Sequence, residues 1–253
     1  MHLQGKTALI AGAGRNNGKA IALTFAREGA ELILVSRKRK DELDEVVREC
    51  AALGANVLPL LADVSKPDEV ERVVQQGLSQ FGKIDVSVSV AGIRRHKDFW
   101  TISYAEWLEV FAVNLHSTFL LAKALAPSMM ARKSGSIIAL GGLASVTSQP
   151  QRAHVVASKT GLYGLIKSLA LELGPYGIRA NLLALSLIAN KRLNPEWYPE
   201  GGGDPRTAAE IQSTPLRREG TREEVANVAL FLASDLSSYV TGDRIICAGG
   251  KYM

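Results

Sequence analysis

Short apolar runs of strand length alternate along this chain with longer segments in which apolar residues recur every three or four positions. Residues 7–10 (TALI) form the first run, and 19–28 follow with Ile21, Ala22 and Phe25 on one face, the spacing of an amphipathic helix. The alternation continues: strands are predicted at 31–36, 56–61, 84–90, 136–140, 178–185 and 244–247, and helices at 41–53, 67–81, 104–130, 153–173 and 222–233. Pro67 falls in the first turn of its helix, where its missing N–H has no intrahelical partner to lose. Strands separated by helices of this length require right-handed βαβ crossovers. The pattern therefore predicts an α/β fold, a Rossmann-type doubly wound parallel sheet of about seven strands, in a single domain over 1–253. One stretch resists assignment. Residues 186–221 carry Gly201, Gly202 and Gly203 with Pro195, Pro199, Pro205 and Pro215, and read as a lid loop.

Composition narrows the class without changing the fold. With 47% hydrophobic and 22% charged residues the chain reads as an ordinary globular protein, which excludes disordered and low-complexity classes. Cys50 and Cys247 are its two cysteines, too few for a disulfide framework or a thiolate metal cage, so no metal is expected. Neither a secretory leader nor a membrane span is evident at the N-terminus, and the expectation is a cytoplasmic protein with no membrane partner. The formal charge of +5 is mild, and its meaning depends on where the basic residues gather. No aromatic platform or recognition helix accompanies them, so no nucleic-acid partner is expected.

The first predicted strand runs into Ala11-Gly12-Ala13-Gly14-Arg15-Asn16-Asn17-Gly18, a glycine-rich turn opening a helix. Such a turn lets backbone N–H groups and a helix N-terminus approach a pyrophosphate, although a plain strand-to-helix turn also uses glycines. The end of the second strand decides which dinucleotide fits. An acidic residue there would hold ribose hydroxyls; this chain has Ser36-Arg37-Lys38-Arg39-Lys40. Arg37 and Lys38, with Arg15 from the first loop, form a clamp suited to a 2′-phosphate, so the cofactor is expected to be NADP(H), in preference to NAD(H).

At this point the chain resembles the short-chain dehydrogenase/reductase family over nearly its whole length. Asp63-Val64 is similar to the family's adenine-contacting pair, Ala91-Gly92 to the end of its Asn-Asn-Ala-Gly, and Asn114 to its helix asparagine. Ala157-Ser158-Lys159 resembles its active-site helix, and Tyr239-Val240-Thr241-Gly242 with Gly249-Gly250 its C-terminal signature. The resemblance implies cofactor binding by Gly12, Gly14, Arg15, Asn16, Asn17, Gly18, Ser36, Arg37, Lys38, Asp63, Val64, Ala91, Gly92 and Lys159, and catalytic roles for Lys159 and Asn114. It also implies a homotetramer or homodimer assembled through the helices at 104–130 and 153–173.

In that family a tyrosine four residues before the lysine protonates the substrate oxygen, and a serine thirteen residues before the tyrosine orients the substrate. Here those positions are Val155 and Gly142. Ser89-Val90, Asn16 and Leu185-Ser186 depart from the pattern as well, and the departures gather at the active site. Substitute donors can be named: Tyr163, one turn beyond Lys159; Ser145, Thr147 and Ser148 after the fifth strand; Trp197 and Tyr198 in the lid. His154 is rotated from Val155 by about 100° around the helix and should point away from the nicotinamide. Arg94-Arg95-His96-Lys97, following Ala91-Gly92, could attract an acidic small-molecule substrate or a coenzyme A ester, or be a solvated loop. Two functions stay open. One is an NADP(H)-dependent oxidoreductase with atypical proton delivery, such as enoyl-thioester reduction; the other is a dinucleotide-binding pseudoenzyme serving as a regulatory or partner subunit.

Overall fold

In the computed structural model, residues 1–190 and 208–252 are described. Seven strands form one parallel sheet: β1 (Thr7–Ala11), β2 (Glu31–Ser36), β3 (Val57–Leu61), β4 (Val86–Ser89), β5 (Gly135–Leu140), β6 (Ile178–Leu185) and β7 (Arg244–Cys247). Their order is β3-β2-β1-β4-β5-β6-β7. The chain winds outward from β1 to one edge and then from β4 to the other, so the crevice above the carboxyl ends of β1 and β4 is the topological switch point. Register fixes its floor: Ala11 pairs with Val35 on one side and Ser89 on the other.

Alternate residues of each strand serve opposite cores. Ala8, Ile10, Leu32, Leu34, Val88 and Ile138 face α1 (Asn16–Arg27), α2 (Lys40–Ala52) and α8 (Arg222–Ala233). Leu9, Ala11, Ile33, Val35, Ile137 and Leu182 face α3 (Pro67–Phe81), α5 (Ser117–Arg132) and α6 (Ala153–Leu173). Because both faces are buried, the central strands are apolar nearly throughout.

Two helix starts follow from local sequence. Ser103 and Glu106 form a capping box at α4 (Tyr104–Phe111), and Thr221 and Glu224 form another at α8, each satisfying orphan N–H groups. The stretch predicted as one helix at 104–130 is α4, a π-helical segment Ala112–His116, and α5. Apolar periodicity cannot register this break, because one inserted residue shifts the buried stripe by less than its own width. By length and composition, Tyr104–Arg132 would suffice to cross a bilayer; in the fold, α5 packs against the sheet and α6. The expected lid is partly regular. It contains a bridge between Ile188 and Gly220 and the short helix α7 (Ala208–Gln212), while Trp197 and Tyr198 lie outside the described residues.

Candidate functional site

The turn after β1 is built for close approach. Gly12 has φ +96°, and a Cβ there would stand 3.0 Å from the Ala91 backbone nitrogen. A Cβ on Gly18 would fall 1.9 Å from the Gly12 carbonyl oxygen, so only glycine lets α1 start directly against the turn. Asn16 adopts φ +50°, a conformation asparagine tolerates better than most residues. Gly14 is buried, and a Cβ there would lie 3.3 Å from the Ser36 hydroxyl. The end of β2 therefore sits against the turn.

The same place holds polar atoms that the fold does not satisfy. Arg15 Nη1 and Asn17 Oδ1 are buried and lack hydrogen-bond partners among the described residues. Burial lowers the Arg15 pKa, the charge of Arg39 lowers it further, and Glu42 opposes both. Arg37 and Lys38 are exposed at the crevice edge, with Arg37 Nη1 3.9 Å from Asp63 Oδ2. Asp63 Oδ1 accepts from the Ser65 N–H at 3.1 Å and the Ser65 hydroxyl at 2.6 Å. Burial would raise the Asp63 pKa; the Ser65 hydrogen bonds, with Arg37 and Lys66, outweigh it and hold it low. Val64 is buried beneath this rim. An unpartnered buried guanidinium nitrogen next to exposed cations fits the phosphates of a dinucleotide, which would supply the missing acceptors.

Deeper in the crevice, Ala91 donates its N–H to the Ala11 carbonyl at 3.1 Å, which carries the chain from β4 past the turn. Asn114 sits on the π-helical segment and clamps the next residues: its Oδ1 accepts from the Ile93 N–H at 2.9 Å, and its Nδ2 donates to the Ile93 carbonyl at 3.1 Å and to Ser158 Oγ at 3.0 Å. The Ser158 hydroxyl donates in turn to the Val155 carbonyl at 2.9 Å. Lys159 is nearly fully buried on α6 and donates to the Leu140 carbonyl at 2.9 Å. Burial, with the charge of Arg94, lowers its pKa to about 8. A Cβ on Gly92 would lie 3.3 Å from Asn114 Oδ1 and 3.5 Å from Lys159 Nζ. Sequence reasoning thus placed Asn114, Lys159 and Gly92 in one site and missed Ser158 as a linking hydroxyl. Its adjacency to the lysine was a signal available in the chain.

The surroundings of Val155, the position the family resemblance aligns with its tyrosine, are hydrocarbon. Val155 is 1% exposed and packs with Ile93 and Val110, with Val113 and Ala144 at the margin. Gly142 has open space; a Cβ there would meet nothing nearer than the Leu185 carbonyl at 3.6 Å. Two of the substitute donors, Ser145 and Thr147, spend their hydroxyls on local backbone carbonyls. The Ser145 hydroxyl donates to the Gly142 carbonyl at 2.8 Å and that of Thr147 to the Leu143 carbonyl at 3.1 Å. Tyr163 lies under the Arg244 guanidinium, 4.5 Å from its ring centroid. Ser148 is exposed. His154 is fully buried with neither ring nitrogen bonded among the described residues. Burial lowers its pKa; Glu106 pulls it up while Arg95 and Lys97 push it down.

A glycine-cradled crevice at the switch point of a doubly wound sheet, with a buried lysine on the helix beside it, defines a dinucleotide-binding α/β protein. A family model described as Enoyl-(Acyl carrier protein) reductase matches residues 12–251. The chain is 38% identical over 250 residues to 3-oxoacyl-(acyl-carrier-protein) reductase FabG of Thermotoga maritima, covering 99% of each chain. It is 34% identical over 253 residues to FabG of Escherichia coli, covering 100% of each. Among solved structures it superposes on a 7α-hydroxysteroid dehydrogenase in complex with NADH and 7-oxoglycochenodeoxycholic acid, with a TM-score of 0.91, 30% identity, and coverage of 98% and 95%. Levodione reductase is similar, with a TM-score of 0.91, 30% identity and 98% coverage of each chain. The chain belongs to the short-chain dehydrogenase/reductase family of oxidoreductases.

Proposed function

We propose that this protein is an NADP(H)-dependent reductase of activated carbon–carbon double bonds in small acyl substrates, enoyl thioesters among them, and that it delivers the proton without a tyrosine. The observation that carries this reading is Val155, sealed in hydrocarbon one helical turn before a buried Lys159. The family model's description as an enoyl reductase supports the same chemistry.

Hydride addition to a ketone generates a strongly basic alkoxide that needs an acid already in place. Hydride addition to the β-carbon of an enoyl thioester generates an enolate, far less basic, whose α-carbon can take its proton from water. Bound NADPH supplies the hydride. Arg15, Arg37 and Lys38 hold the 2′-phosphate, while Gly12, Gly14, Asn16, Asn17 and Gly18 bring backbone up to the pyrophosphate. Asp63 and Val64 border the adenine end. Lys159 holds the nicotinamide ribose beside Ala91 and Gly92, and its ammonium adds positive potential where the enolate charge develops. Asn114 keeps the Gly92–Ile93 backbone in place.

The reading includes a cytoplasmic protein and a homodimer or homotetramer, the assembly supported by the exposed apolar side chains Leu108, Phe119 and Leu171 on the helices α4 to α6. Fluorescence titration with NADPH and NADH, followed by 340 nm assays with crotonyl-CoA and acetoacetyl-CoA, tests the function. NADPH-dependent turnover of crotonyl-CoA alone is expected. Comparable turnover of acetoacetyl-CoA overturns the reading. Tight NADPH binding with neither substrate consumed supports the second reading, a dinucleotide-binding partner or regulatory subunit, which the loss of hydroxyls at both Gly142 and Val155 favours.

A further inference from the structure

The four consecutive basic residues after Ala91-Gly92-Ile93 do not behave as one patch. Arg95 Nη2 lies 2.6 Å from Glu109. Lys97 Nζ donates at 2.7 Å to both carboxylate oxygens of Glu106. His96 Nε2 accepts from Arg152 Nε at 3.0 Å. Those three are tied to α4 or to the residue that opens α6. Arg94 is exposed, and it has no ion pair or hydrogen bond among the described residues.

Its base is nevertheless fixed. Both backbone polar groups of Ile93 are held by the Asn114 amide, and Gly92 approaches the Lys159 ammonium. The guanidinium therefore leaves a rigid rung beside the active-site lysine, and its charge acts on that lysine. Two like charges near one crevice repel, and among the described residues no ion pair or hydrogen bond of Arg94 offsets the repulsion. An anion placed between them would.

We propose that Arg94 receives a carboxylate carried by the substrate close to its reacting carbon. The preferred substrate is then an acidic small molecule, with neutral acyl chains such as the crotonyl group reduced less efficiently. This deepens the reading of the site as a double-bond reductase and rests on it. A coenzyme A arm does not meet the requirement, since its phosphates lie a pantetheine length from the reacting carbon while the groups between are neutral. A guanidinium suits a carboxylate because its planar fork donates two parallel hydrogen bonds.

The test is calorimetric titration of NADP+-saturated protein with trans-4-oxopent-2-enoate and, separately, with the neutral trans-4-oxopent-2-enamide. Wild type is expected to bind the acid at least about 10-fold more tightly at low salt, with the margin shrinking as salt is added. Arg94→Met should bring the two affinities together, Arg94→Lys should keep part of the difference, and Arg48→Met, on the exposed face of α2, should keep all of it. Independently, the Lys159 ammonium followed by NMR should titrate at higher pH in Arg94→Met than in wild type. Equal affinities in wild type, no binding of the acid up to roughly 20 mM, or a preference that survives Arg94→Met overturns the proposal. If enoyl turnover is absent but the acid preference is present and is lost in Arg94→Met, the catalytic reading has failed and the carboxylate site stands.

Discussion

Gly142 and Val155, which the family resemblance aligns with a serine and a tyrosine, differ in the room they leave for a hydroxyl-bearing side chain. At Gly142 the backbone is extended, φ −165°, and a side chain would have ordinary contact distance around it; a serine fits without movement. At Val155 the neighbours Ile93 and Val110 have closed over the side chain, and a tyrosine must reopen that cluster, costing about 1–3 kcal/mol if the added volume is poorly accommodated. Gly142→Ser with Val155→Tyr is therefore expected to give NADPH-dependent reduction of acetoacetyl-CoA at least roughly 100-fold above wild type, the scale of a positioned proton donor, with a lowered Tm. Gly142→Ser alone should leave both activity and Tm near wild type. A folded double variant with no gain in ketone reduction would show that the lost tyrosine is not what limits that chemistry.

At the scale of elements, the strand–turn–helix unit β1–α1 and the end of β2 lie close together, because a Cβ on Gly14 would stand 3.3 Å from the Ser36 hydroxyl. That approach brings Arg15 and Arg37 to one rim although twenty-two positions of sequence separate them. Arg37→Asp combined with Arg15→Ala should weaken NADPH binding by roughly 10- to 100-fold and leave NADH binding nearly unchanged or improved; fluorescence titration of both nucleotides reads it out. An equal loss for the two would place the 2′-phosphate elsewhere. The strands, most helices and the glycine turn after β1 were legible in the chain because each is written in local signals: apolar period and glycines. The π-helical segment that seats Asn114, the pairing of Arg95 and Lys97 with Glu109 and Glu106, and the turn that uses up the Ser145 and Thr147 hydroxyls were not. Each depends on which side chains meet across elements, and nothing in the linear pattern separates a paired arginine from a free one.

Over the whole molecule, two buried basic groups couple the site to stability, one on each side of neutrality. Both lie on α6: His154, whose pKa is lowered by burial and faced by Glu106, Arg95 and Lys97, and Lys159, lowered to about 8. A base whose pKa is lower folded than unfolded leaves the unfolded chain holding the extra proton, so stability rises with pH across the interval between the two values. For His154 that interval ends at the ordinary histidine value near 6.5. For Lys159 it runs from about 8 to the ordinary lysine value near 10.4. Carboxylates held low act in the same direction but further down: Glu106 and Glu224, each near 2, lose their contribution only as the pH falls from their ordinary range toward that value. The apoprotein's Tm should therefore climb with pH up to about 6.5, level off, and climb again above pH 8. His154→Leu should flatten the first limb and Lys159→Met the second. Lys159→Met should also be more stable than wild type at pH 7, by about 3 kcal/mol on the scale set by the lysine's pKa change, and, on the proposed role of the ammonium at the nicotinamide ribose, should lose NADPH binding. Differential scanning calorimetry of wild type and both variants from pH 5 to 10 checks this; a Lys159→Met protein that melts below wild type at pH 7 would mean that the hydrogen bond to the Leu140 carbonyl outweighs the burial of the charge.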